Sequence, residues 1–366
     1  MKTKKIKKLK AGVLGCTGLV GQQFIRMLDN HPFFEIGLLT ASKKSAGKKY
    51  KESTNWSLGG DVPLSVEEIV IKDTMVESVC ESNVEVVFSA LPSAIAKKIE
   101  LPLAKKGFFI FSNAGANRMR PDVPIIIPEV NPDHLELVRS RVKNGKGFII
   151  TNSNCSTSGL VMGLAPLVEL GIRNVFVSTY QAISGAGRQG LASIDIHENV
   201  IPFIKEEEEK IERETRKILG WLENGSIREM SIDVFAGCCR VPVRDGHLLN
   251  VMVDLEEDIR VDVISQIMES FRSIPQALRL PTAPEKPLII RHERNRPQPH
   301  LDKLAGTPFR AQGMSVSVGR IRKKGKRLLF TLLVNNTIRG AAGVCVLNAE
   351  LALLKNILNN VNYQDR

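Results

Sequence analysis

Cys155 is the residue whose neighbours best suit it to act as a nucleophile. It lies in Thr151-Asn-Ser-Asn-Cys155-Ser-Thr-Ser-Gly159, between an apolar strand-like run and an apolar helical run that starts at Leu160. A thiol at a helix N-terminus has a lowered pKa, because the helix dipole and the nearby N–H groups stabilise the thiolate. The same amides are candidate donors to an oxyanion. The alternative is a small buried cysteine that only fills space.

A cysteine nucleophile needs a base, and His247 is the candidate. It follows Cys239-Arg240-Val-Pro-Val-Arg-Asp-Gly at a turn between two strand-like runs, and loops of this kind often carry function. The alternative is a histidine that only forms hydrogen bonds within a turn. The other five histidines have charged or loop-like neighbours and are interpreted as surface residues: His31, His134, His197, His292 and His300.

A glycine-rich loop, Gly12-Val-Leu-Gly15-Cys-Thr-Gly18-Leu-Val-Gly21, follows the first strand-like run and precedes a helical one. Glycines in such a loop let the backbone turn tightly and bring N–H groups close to a pyrophosphate at a helix N-terminus. The spacing G-x-x-G-x-x-G differs from the dinucleotide fingerprint G-x-G-x-x-G. The order strand, loop and helix supports a dinucleotide site, and an ordinary strand–helix turn is the alternative.

The second strand predicts which dinucleotide binds. NAD enzymes usually place an acidic residue at the end of this strand, about 20 residues after the glycines, to hold the ribose 2′-hydroxyl. Here the strand ends in Ala41-Ser-Lys-Lys-Ser45, which offers cations and hydroxyls. A 2′-phosphate is therefore favoured, and the sequence predicts NADP rather than NAD. Lys43 and Lys44 as solvated surface lysines are the alternative.

Composition limits the class of protein. The chain has 366 residues, 43% hydrophobic and 25% charged, which favours two globular domains and excludes a mostly disordered chain. No apolar run reaches the ~18 residues that span a bilayer, and the lysine-rich start at Lys2–Lys10 has neither the apolar segment of a secretory signal nor an arginine. We therefore predict a soluble cytoplasmic protein with a solvated N-terminus. The six scattered cysteines are expected to be reduced thiols.

The formal charge of +12 is compatible with a nucleic-acid-binding protein or with an enzyme that acts on small anions. Aromatic residues make up only 5% of the chain, and no nucleic-acid motif places them among the basic residues. A nucleic-acid-binding protein is therefore the distant alternative. Enzymes that hold phosphates and carboxylates fit the charge better.

The elements that must position these residues differ between the two halves of the chain. The first half alternates short β-rich runs with amphipathic helices, which is typical of a parallel sheet wrapped by helices. Its predicted strands are Lys10–Leu14, Ile36–Ala41, Val84–Ser89, Phe108–Ser112, Ile125–Ile127 and Phe148–Thr151. Its predicted helices are Val20–Asn30, Ser93–Lys106 and Pro132–Val142. The segment Ser42–Pro63 is interpreted as a surface loop.

The second half predicts an α+β domain with a mostly antiparallel sheet, because its long strand-like runs follow one another without helices between them. The predicted helices are Cys155–Leu170, Lys205–Leu219 and Gly340–Leu358. The predicted strands are Asn174–Ile183, Ile232–Val243, Leu248–Leu255, Met314–Arg322 and Leu328–Asn335. Ala283–Pro308 is Pro- and Arg-rich and is interpreted as an extended excursion.

Six motifs in this order resemble those of the aspartate-β-semialdehyde dehydrogenase family, and most closely its archaeal and fungal branch. The resemblance spans residues 10 to 358. The motifs are the glycine loop, Ser153-Asn-Cys155-Ser-Thr, Gln181-Ala-Ile-Ser-Gly-Ala-Gly187, Glu214-Thr-Arg-Lys217-Ile-Leu, Arg240-Val-Pro-Val-Arg-Asp-Gly-His247 and Asn335-Asn-Thr-Ile-Arg-Gly-Ala-Ala342. The resemblance implies a Rossmann-type NADP-binding domain, residues 1–154 completed by helix 340–366, and a catalytic and dimerisation domain, residues 155–339.

The resemblance also implies roles for single residues. Cys155 forms the acyl-enzyme, His247 is the acid/base and Gln181 positions the substrate. The implied substrate ligands are Arg240 for the α-carboxylate, Glu214 for the amino group, Lys217 and Arg118 for phosphate, and Asn113. The cofactor ligands are Gly12, Gly15, Thr17, Gly18, Leu19, Val20, Ser42, Lys43, Ser45, Ser89, Ser184, Gly185 and Asn336, with Asn336 near the nicotinamide. No metal is expected.

The implied reaction is NADPH-dependent reduction of β-aspartyl phosphate to aspartate semialdehyde through a cysteine thioester. It belongs to the pathway to lysine, diaminopimelate, threonine, methionine and isoleucine. The expected partners are this small-molecule substrate, inorganic phosphate and further copies of the chain in a homodimer or homotetramer, with no nucleic acid and no membrane. An acyl-CoA reductase of the malonyl-CoA type is the nearest rival. Two positions depart from the family: Cys239 before Arg240, and Leu248-Leu249 after His247.

Overall fold

The structure, a computed structural model, describes residues 7–143 and 145–358. The chain forms two compact units. Within the described residues, the first unit takes in the chain up to Pro124, Leu135–Asn152 and the residues from Cys345 on; the second takes in Ile125–His134 and Ser153–Val344. Residues 125–134 thus group with the second unit, although the sequence placed them in the first domain.

The first unit is built on a six-stranded parallel sheet in the order β3-β2-β1-β4-β5-β6. Its strands are β1 Leu9–Leu14, β2 Phe34–Ala41, β3 Lys72–Asp73, β4 Val86–Ser89, β5 Phe109–Ser112 and β6 Phe148–Thr151. Its helices are α1 Leu19–Leu28, α2 Tyr50–Ser53, α3 Val76–Cys80, α4 Ser93–Lys105 and α5 Glu136–Lys143. Strand order reverses at β1, so the first strand–helix loop lies at the switch point where open α/β sheets bind ligands.

The strands of this sheet bury both faces, because side chains alternate along each strand. Val87 and Ile110 pack on one face against Leu103 of α4. On the other face Phe88 stands 5.4 Å from Phe24 of α1 and 5.9 Å from Phe111, measured between ring centres. A parallel sheet covered on both faces is what near-continuous apolar strands predict.

The second unit is built on a mixed six-stranded sheet in the order β10-β7-β11-β14-β13-β12. Its helices and strands, in chain order, are α6 Cys155–Leu164, β7 Ile172–Gln181, α7 Ser193–Ile196, α8 Glu207–Leu219, β8 Trp221–Glu223, β9 Ser226–Arg228, β10 Asp233–Arg240, β11 His247–Leu255, α9 Val261–Ser270, α10 Ile274–Ala277, β12 Leu288–Arg291, α11 Pro299–Asp302, β13 Val316–Lys324 and β14 Arg327–Val334. The three central pairings are antiparallel, as predicted, and the two edge pairings are parallel. The last helix of the described chain is α12 Gly343–Leu354.

Two glycines let α6 pack closely on β14. A Cβ at Gly159 would stand 2.8 Å from the Val334 side chain, and one at Gly163 would stand 2.9 Å from the Leu332 side chain. Larger residues at either position would push the helix off the sheet. Because Cys155 is the first residue of α6, this contact helps to fix the height of the nucleophile above the sheet.

Several predicted elements are corrected. Ile125–Ile127 is not a strand, although all three residues are buried, so its apolar run reflects burial rather than sheet pairing. The predicted helix from Cys155 stops at Leu164 and continues as a 3-10 turn to Leu170, with Pro166 at its start. The predicted C-terminal helix begins as a π-turn over Ile338–Ala342, and the extended excursion contains β12.

Some predictions concern histidines, cysteines and chain ends. His31 and His134 are fully buried, so their interpretation as surface residues was wrong. All six cysteines are described and each is a free thiol. Two segments lie outside the described residues. They are Lys2, Lys4 and Lys5, which the sequence assigned to a solvated N-terminus, and residues 359–366, which it assigned to a C-terminal helix. In the part of the chain that is described, no helix has the length and apolarity needed to cross a membrane.

Candidate active site

Asn154 caps the helix that starts at Cys155. Its Oδ1 accepts hydrogen bonds from the backbone N–H groups of Ser156 and Thr157, at 2.9 and 3.1 Å. An asparagine at this position satisfies amide groups that have no partner within the helix. The cap therefore fixes the first turn of α6, on which Cys155 lies.

The cap also changes the predicted role of these amides. The N–H groups of Ser156 and Thr157 point to Asn154, so they do not serve as the oxyanion donors that the sequence suggested. The dipole of α6 still favours negative charge on the sulfur. A donor close to the reacting sulfur comes from another element.

That donor is His247, the first residue of β11. Its Nε2 stands 3.2 Å from Sγ of Cys155. Its Nδ1 accepts the backbone N–H of Ala182 at 3.0 Å. A neutral imidazole has one donor nitrogen and one acceptor nitrogen, so this hydrogen bond assigns the proton to Nε2. His247 therefore presents an N–H to the Cys155 sulfur.

Burial keeps this imidazole neutral. Full burial, with the Arg240 cation nearby as a smaller cause, lowers the pKa of His247 from 6.5 to about 3. At neutral pH the side chain is thus an uncharged hydrogen-bond donor. In this arrangement the neutral Nε2–H can donate to sulfur or to an oxyanion but cannot accept the thiol proton. The base role predicted for His247 toward the thiol does not fit this geometry, and its role as a donor stays a prediction.

The lowered pKa of His247 predicts that stability falls as the solution is acidified. Between about pH 6.5 and pH 3 the unfolded chain takes up a proton that the folded protein does not, so the free energy of unfolding decreases as the pH falls through this window. Urea unfolding near pH 7.5 and near pH 5 measures the effect. The His247→Gln variant should lose less stability between these pH values than the parent, and an equal loss in both would contradict the assignment.

Gln181 and Arg240 end two neighbouring strands and pair with each other in the sheet. Both are buried. Arg240 donates from Nη1 to the carbonyl of Ala182 at 2.8 Å, the residue whose amide holds His247. Gly185 closes the group, because a Cβ there would lie 2.6 Å from Arg240 Nη1 and 3.3 Å from His247 Nε2. The structure thus brings Cys155, His247 and Arg240 together, as the sequence predicted.

Glu214 and Lys217 lie one turn apart on α8, and both are buried. Oε2 of Glu214 accepts the backbone N–H of Asn154 at 2.5 Å. In this structure Glu214 therefore supports the residue before the nucleophile. Its predicted contact with a substrate amino group, and that of Lys217 with phosphate, stay predictions.

The π-turn over Ile338–Ala342 contributes Gly340, where a Cβ would stand only 2.7 Å from Cβ of Cys155. At the preceding asparagine, Asn336, Nδ2 donates to Oγ of Ser184 at 2.8 Å and Oδ1 accepts the N–H of Gly246 at 2.9 Å. Asn336 is thus hydrogen-bonded both to Ser184 and to Gly246, the residue before His247. Their predicted roles toward the cofactor stay predictions.

The glycine loop of the first unit has the geometry of an anion cradle. Gly15 has φ +78°, and a Cβ there would stand 2.8 Å from the carbonyl oxygen of Ala90; at Gly21 a Cβ would stand 2.2 Å from that of Gly15. Helix α1 starts at Leu19 with Gly18 as its N-cap, and no side chain caps its amides. Amides free of a side-chain cap at a glycine-lined helix start suit a pyrophosphate. Thr17 belongs to this loop and Val20 to the first turn, whereas Gly12 lies inside β1.

The end of β2 suits a 2′-phosphate. Ser42 and Lys43 are exposed directly after the strand, with Ser45 half-buried beyond them. β2 pairs with β1 in parallel, so these residues leave the sheet at the same edge as the glycine loop. Ser89 is the last residue of β4, at that edge as well, but it is fully buried. The side-chain set therefore fits NADP.

Asn113 and Arg118 follow β5 in the first unit. Arg118 donates from Nη2 to the carbonyl of Asn113 at 2.9 Å, and Asn152 donates from Nδ2 to Oδ1 of Asn113 at 2.7 Å. The buried carboxylate of Glu100 holds this loop, since it accepts Nδ2 of Asn117 at 2.7 Å. Sequence reasoning missed Glu100, because nothing in a helix of lysines and apolar residues marks it as buried.

The described residues hold no cluster of three or more His, Cys, Asp or Glu side chains that could bind a metal ion.

Two family models match the chain. A model described as semialdehyde dehydrogenase, NAD binding domain, matches residues 10–138, and one described as semialdehyde dehydrogenase, dimerisation domain, matches residues 164–339.

Whole-chain relatives agree with these models. The aspartate-semialdehyde dehydrogenase of Methanothermobacter thermautotrophicus is 47% identical over 350 residues, covering 94% of this chain and 98% of the relative. A protein of Metallosphaera sedula named malonyl CoA reductase (NADP) is 39% identical and covers 96% of this chain and 98% of its own length. The crystal structure of the Candida albicans aspartate semialdehyde dehydrogenase with NADP matches with a TM-score of 0.87 and 38% identity, covering 96% of this chain and 100% of that one. The fold, the site and these relatives together establish that the chain belongs to the aspartate-semialdehyde dehydrogenase family.

Proposed function

We propose that the protein is an NADP-dependent aspartate-semialdehyde dehydrogenase that reduces β-aspartyl phosphate to aspartate semialdehyde and releases phosphate. The observation that carries the proposal is the contact of 3.2 Å between Cys155 Sγ and His247 Nε2 at the start of α6. The Methanothermobacter relative, at 47% identity, carries this name. The proposal places the protein in amino-acid biosynthesis in the cytoplasm.

In the proposed reaction the Cys155 thiolate attacks the acyl carbon of the substrate, and the carbon–oxygen bond to phosphate breaks. Cys155 then carries a thioester. Bound NADPH supplies a hydride to the thioester carbon, and Nε2–H of His247 donates to the oxygen that becomes negative. When the thiohemiacetal collapses, the same N–H stabilises the departing Cys155 thiolate. The same N–H thus stabilises first the negative oxygen and then the thiolate. No step requires His247 to act as a base toward the thiol.

Arg240 is proposed to bind the α-carboxylate of the substrate, because a guanidinium matches a carboxylate in two parallel hydrogen bonds. Gln181 positions the substrate, Lys217 and Arg118 bind the phosphate, and Asn113 is a further substrate ligand. The glycine loop with Lys43 binds the dinucleotide.

The test is the reverse reaction with purified protein. Aspartate semialdehyde, phosphate and NADP should give NADPH, and omission of phosphate or replacement of NADP by NAD should lower the rate. The forward reaction with β-aspartyl phosphate should exceed that with malonyl-CoA, the substrate that the Metallosphaera relative's name suggests. Faster reduction of malonyl-CoA would overturn the proposed substrate while leaving the cysteine chemistry in place.

The protein is also proposed to form a homodimer or a dimer of dimers through the open face of the second sheet. Phe235 of the edge strand β10 stacks on Phe176 of β7 with 5.3 Å between ring centres, and Phe235 is 56% exposed. Tyr180 is exposed on the same strand as Phe176. Exposed aromatic residues grouped on one sheet face are typical of protein interfaces, and this face lies within the matched dimerisation domain.

A charge on this face should therefore split the oligomer. We expect Phe235→Glu to shift the mass measured by light scattering toward the monomer, because the carboxylate would be buried without a partner. Phe309→Glu is the control, since Phe309 is 86% exposed in the 3-10 turn Phe309–Ala311, outside the strands of this sheet. An unchanged mass for Phe235→Glu, or a monomeric parent protein, would refute the proposed interface.

A further inference from the structure

The acidic run Glu206–Glu209 at the start of α8 contains one residue unlike its neighbours. Its charges resemble a solvated helix face, and Glu206 does pair with Lys210 at 3.3 Å on the surface. Glu209 is exposed. Glu207 is only 8% exposed, and a carboxylate is rarely buried unless it has a partner.

The partner of Glu207 is Asn154, the residue before the nucleophile. Oε1 of Glu207 accepts Nδ2 of Asn154 at 2.7 Å, while Glu214, two turns further along α8, accepts the backbone N–H of the same asparagine. These two carboxylates of α8 thus converge on one residue. Hydrogen bonds to α8 therefore hold Asn154, the residue that caps α6.

The chemistry of this contact determines how Asn154 is oriented. An ionised carboxylate can only accept hydrogen bonds, so the Asn154 side chain must turn its NH₂ group toward Glu207. Its Oδ1 then faces the N–H groups of Ser156 and Thr157. If the amide group were flipped, donor would face donor at the helix start and acceptor would face acceptor at Glu207.

From this geometry we infer that Glu207 is a positioning residue for the nucleophile: it orients the Asn154 cap and thereby holds Cys155 at its distance from His247. The inference rests on the proposed role of Cys155. It does not make Glu207 a ligand of the substrate. A displacement of about 1 Å in a reacting group can cost about a hundredfold in rate, which is why a cap one residue away matters to the chemistry.

The first experiment compares three variants on α8. In Glu207→Gln the side-chain oxygen can still accept from Asn154, so kcat and KM should stay within about threefold of the parent. In Glu207→Ala the acceptor is lost, and kcat should fall about tenfold to a hundredfold with little change in KM. Glu209→Ala is the matched control on the exposed side of the helix and should behave like the parent.

The second measurement is the rate at which iodoacetamide alkylates Cys155, followed over a range of pH. It needs neither substrate nor turnover, so it stays informative even if the proposed substrate is wrong. Glu207→Ala should slow or shift this profile, whereas Glu207→Gln should not. A shift of KM for the amino-acid substrate in Glu207→Gln, with alkylation unchanged, would overturn the inference and make Glu207 a substrate ligand. Equal behaviour of Glu207→Ala and Glu209→Ala would also overturn it.

A reciprocal exchange tests the pair even if Glu207→Ala fails to fold. Asn154→Asp alone places two carboxylates against each other and should lower kcat at least about tenfold. Adding Glu207→Gln restores one donor and one acceptor with the same total charge, and an aspartate is also a good helix cap. The double variant should therefore recover activity relative to Asn154→Asp. Simple addition of the two single effects, without recovery, would refute the positioning role.

Discussion

Replacing Cys155 by Ser is expected to abolish reduction of the acyl phosphate while leaving NADPH binding intact. A serine hydroxyl does not ionise near neutral pH, so the helix dipole and Nε2–H of His247 have no anion to stabilise. The loss should be about a thousandfold or more, as is usual when a nucleophile is removed. The glycine loop, which belongs to the first unit, is unchanged by the substitution.

Steady-state turnover and NADPH titration by fluorescence measure the two expectations separately. Cys80→Ser is the control, because Cys80 is an exposed free thiol at the end of α3. It should retain the parent's turnover. Retained turnover in Cys155→Ser would exclude the thioester route, whereas lost NADPH binding would show that the substitution disturbs more than the sulfur.

Replacing Arg339 by Leu is expected to destabilise the second unit strongly. The fully buried guanidinium donates to both oxygens of Glu129, at 2.8 and 2.6 Å, and from Nε to the carbonyl of Met314 at 2.5 Å. Without it, the carboxylate of Glu129 is left buried and unpaired, which costs about 3–5 kcal/mol of unfolding free energy. Urea unfolding measures this loss.

The same substitution should also lower kcat. The carbonyl of Arg339 accepts a hydrogen bond from Ser158 of α6 at 3.0 Å, and Gly340 beside it packs against Cys155. Arg327→Leu is the control: it breaks an exposed ion pair with Asp254 and should change stability far less, because water screens that pair. A loss of less than about 1 kcal/mol for Arg339→Leu would contradict the argument. A double variant that also removes Glu129 gives a second check. If it regained full kcat but not the lost free energy of unfolding, the argument would likewise be contradicted.

The sequence alone determined most of the fold. Short β-rich apolar runs and amphipathic helical patterns predicted the strands and helices around the glycine loop and Cys155, because strands buried on both faces are apolar throughout and the helices show their own periodicity. They failed at Ile125–Ile127, a buried segment that forms no strand but has the same apolar composition as a strand. They also failed at the edge strand β12, because the Pro- and Arg-rich segment around it conceals a four-residue run.

The sequence alone also identified Cys155 and His247 as candidates, because a cysteine at a helix start and a histidine at a turn are recognisable by type, and the family resemblance added Arg240. Only the tertiary structure decided how these side chains are oriented. The Ala182 amide assigns the proton of His247 to Nε2, and backbone groups leave no mark in a sequence. Glu207 and Glu209 are the same residue type in the same run, and the packing of α8 alone decides which one reaches Asn154. Arg339 and Glu129 are 210 residues apart in the chain, so no local pattern could pair them.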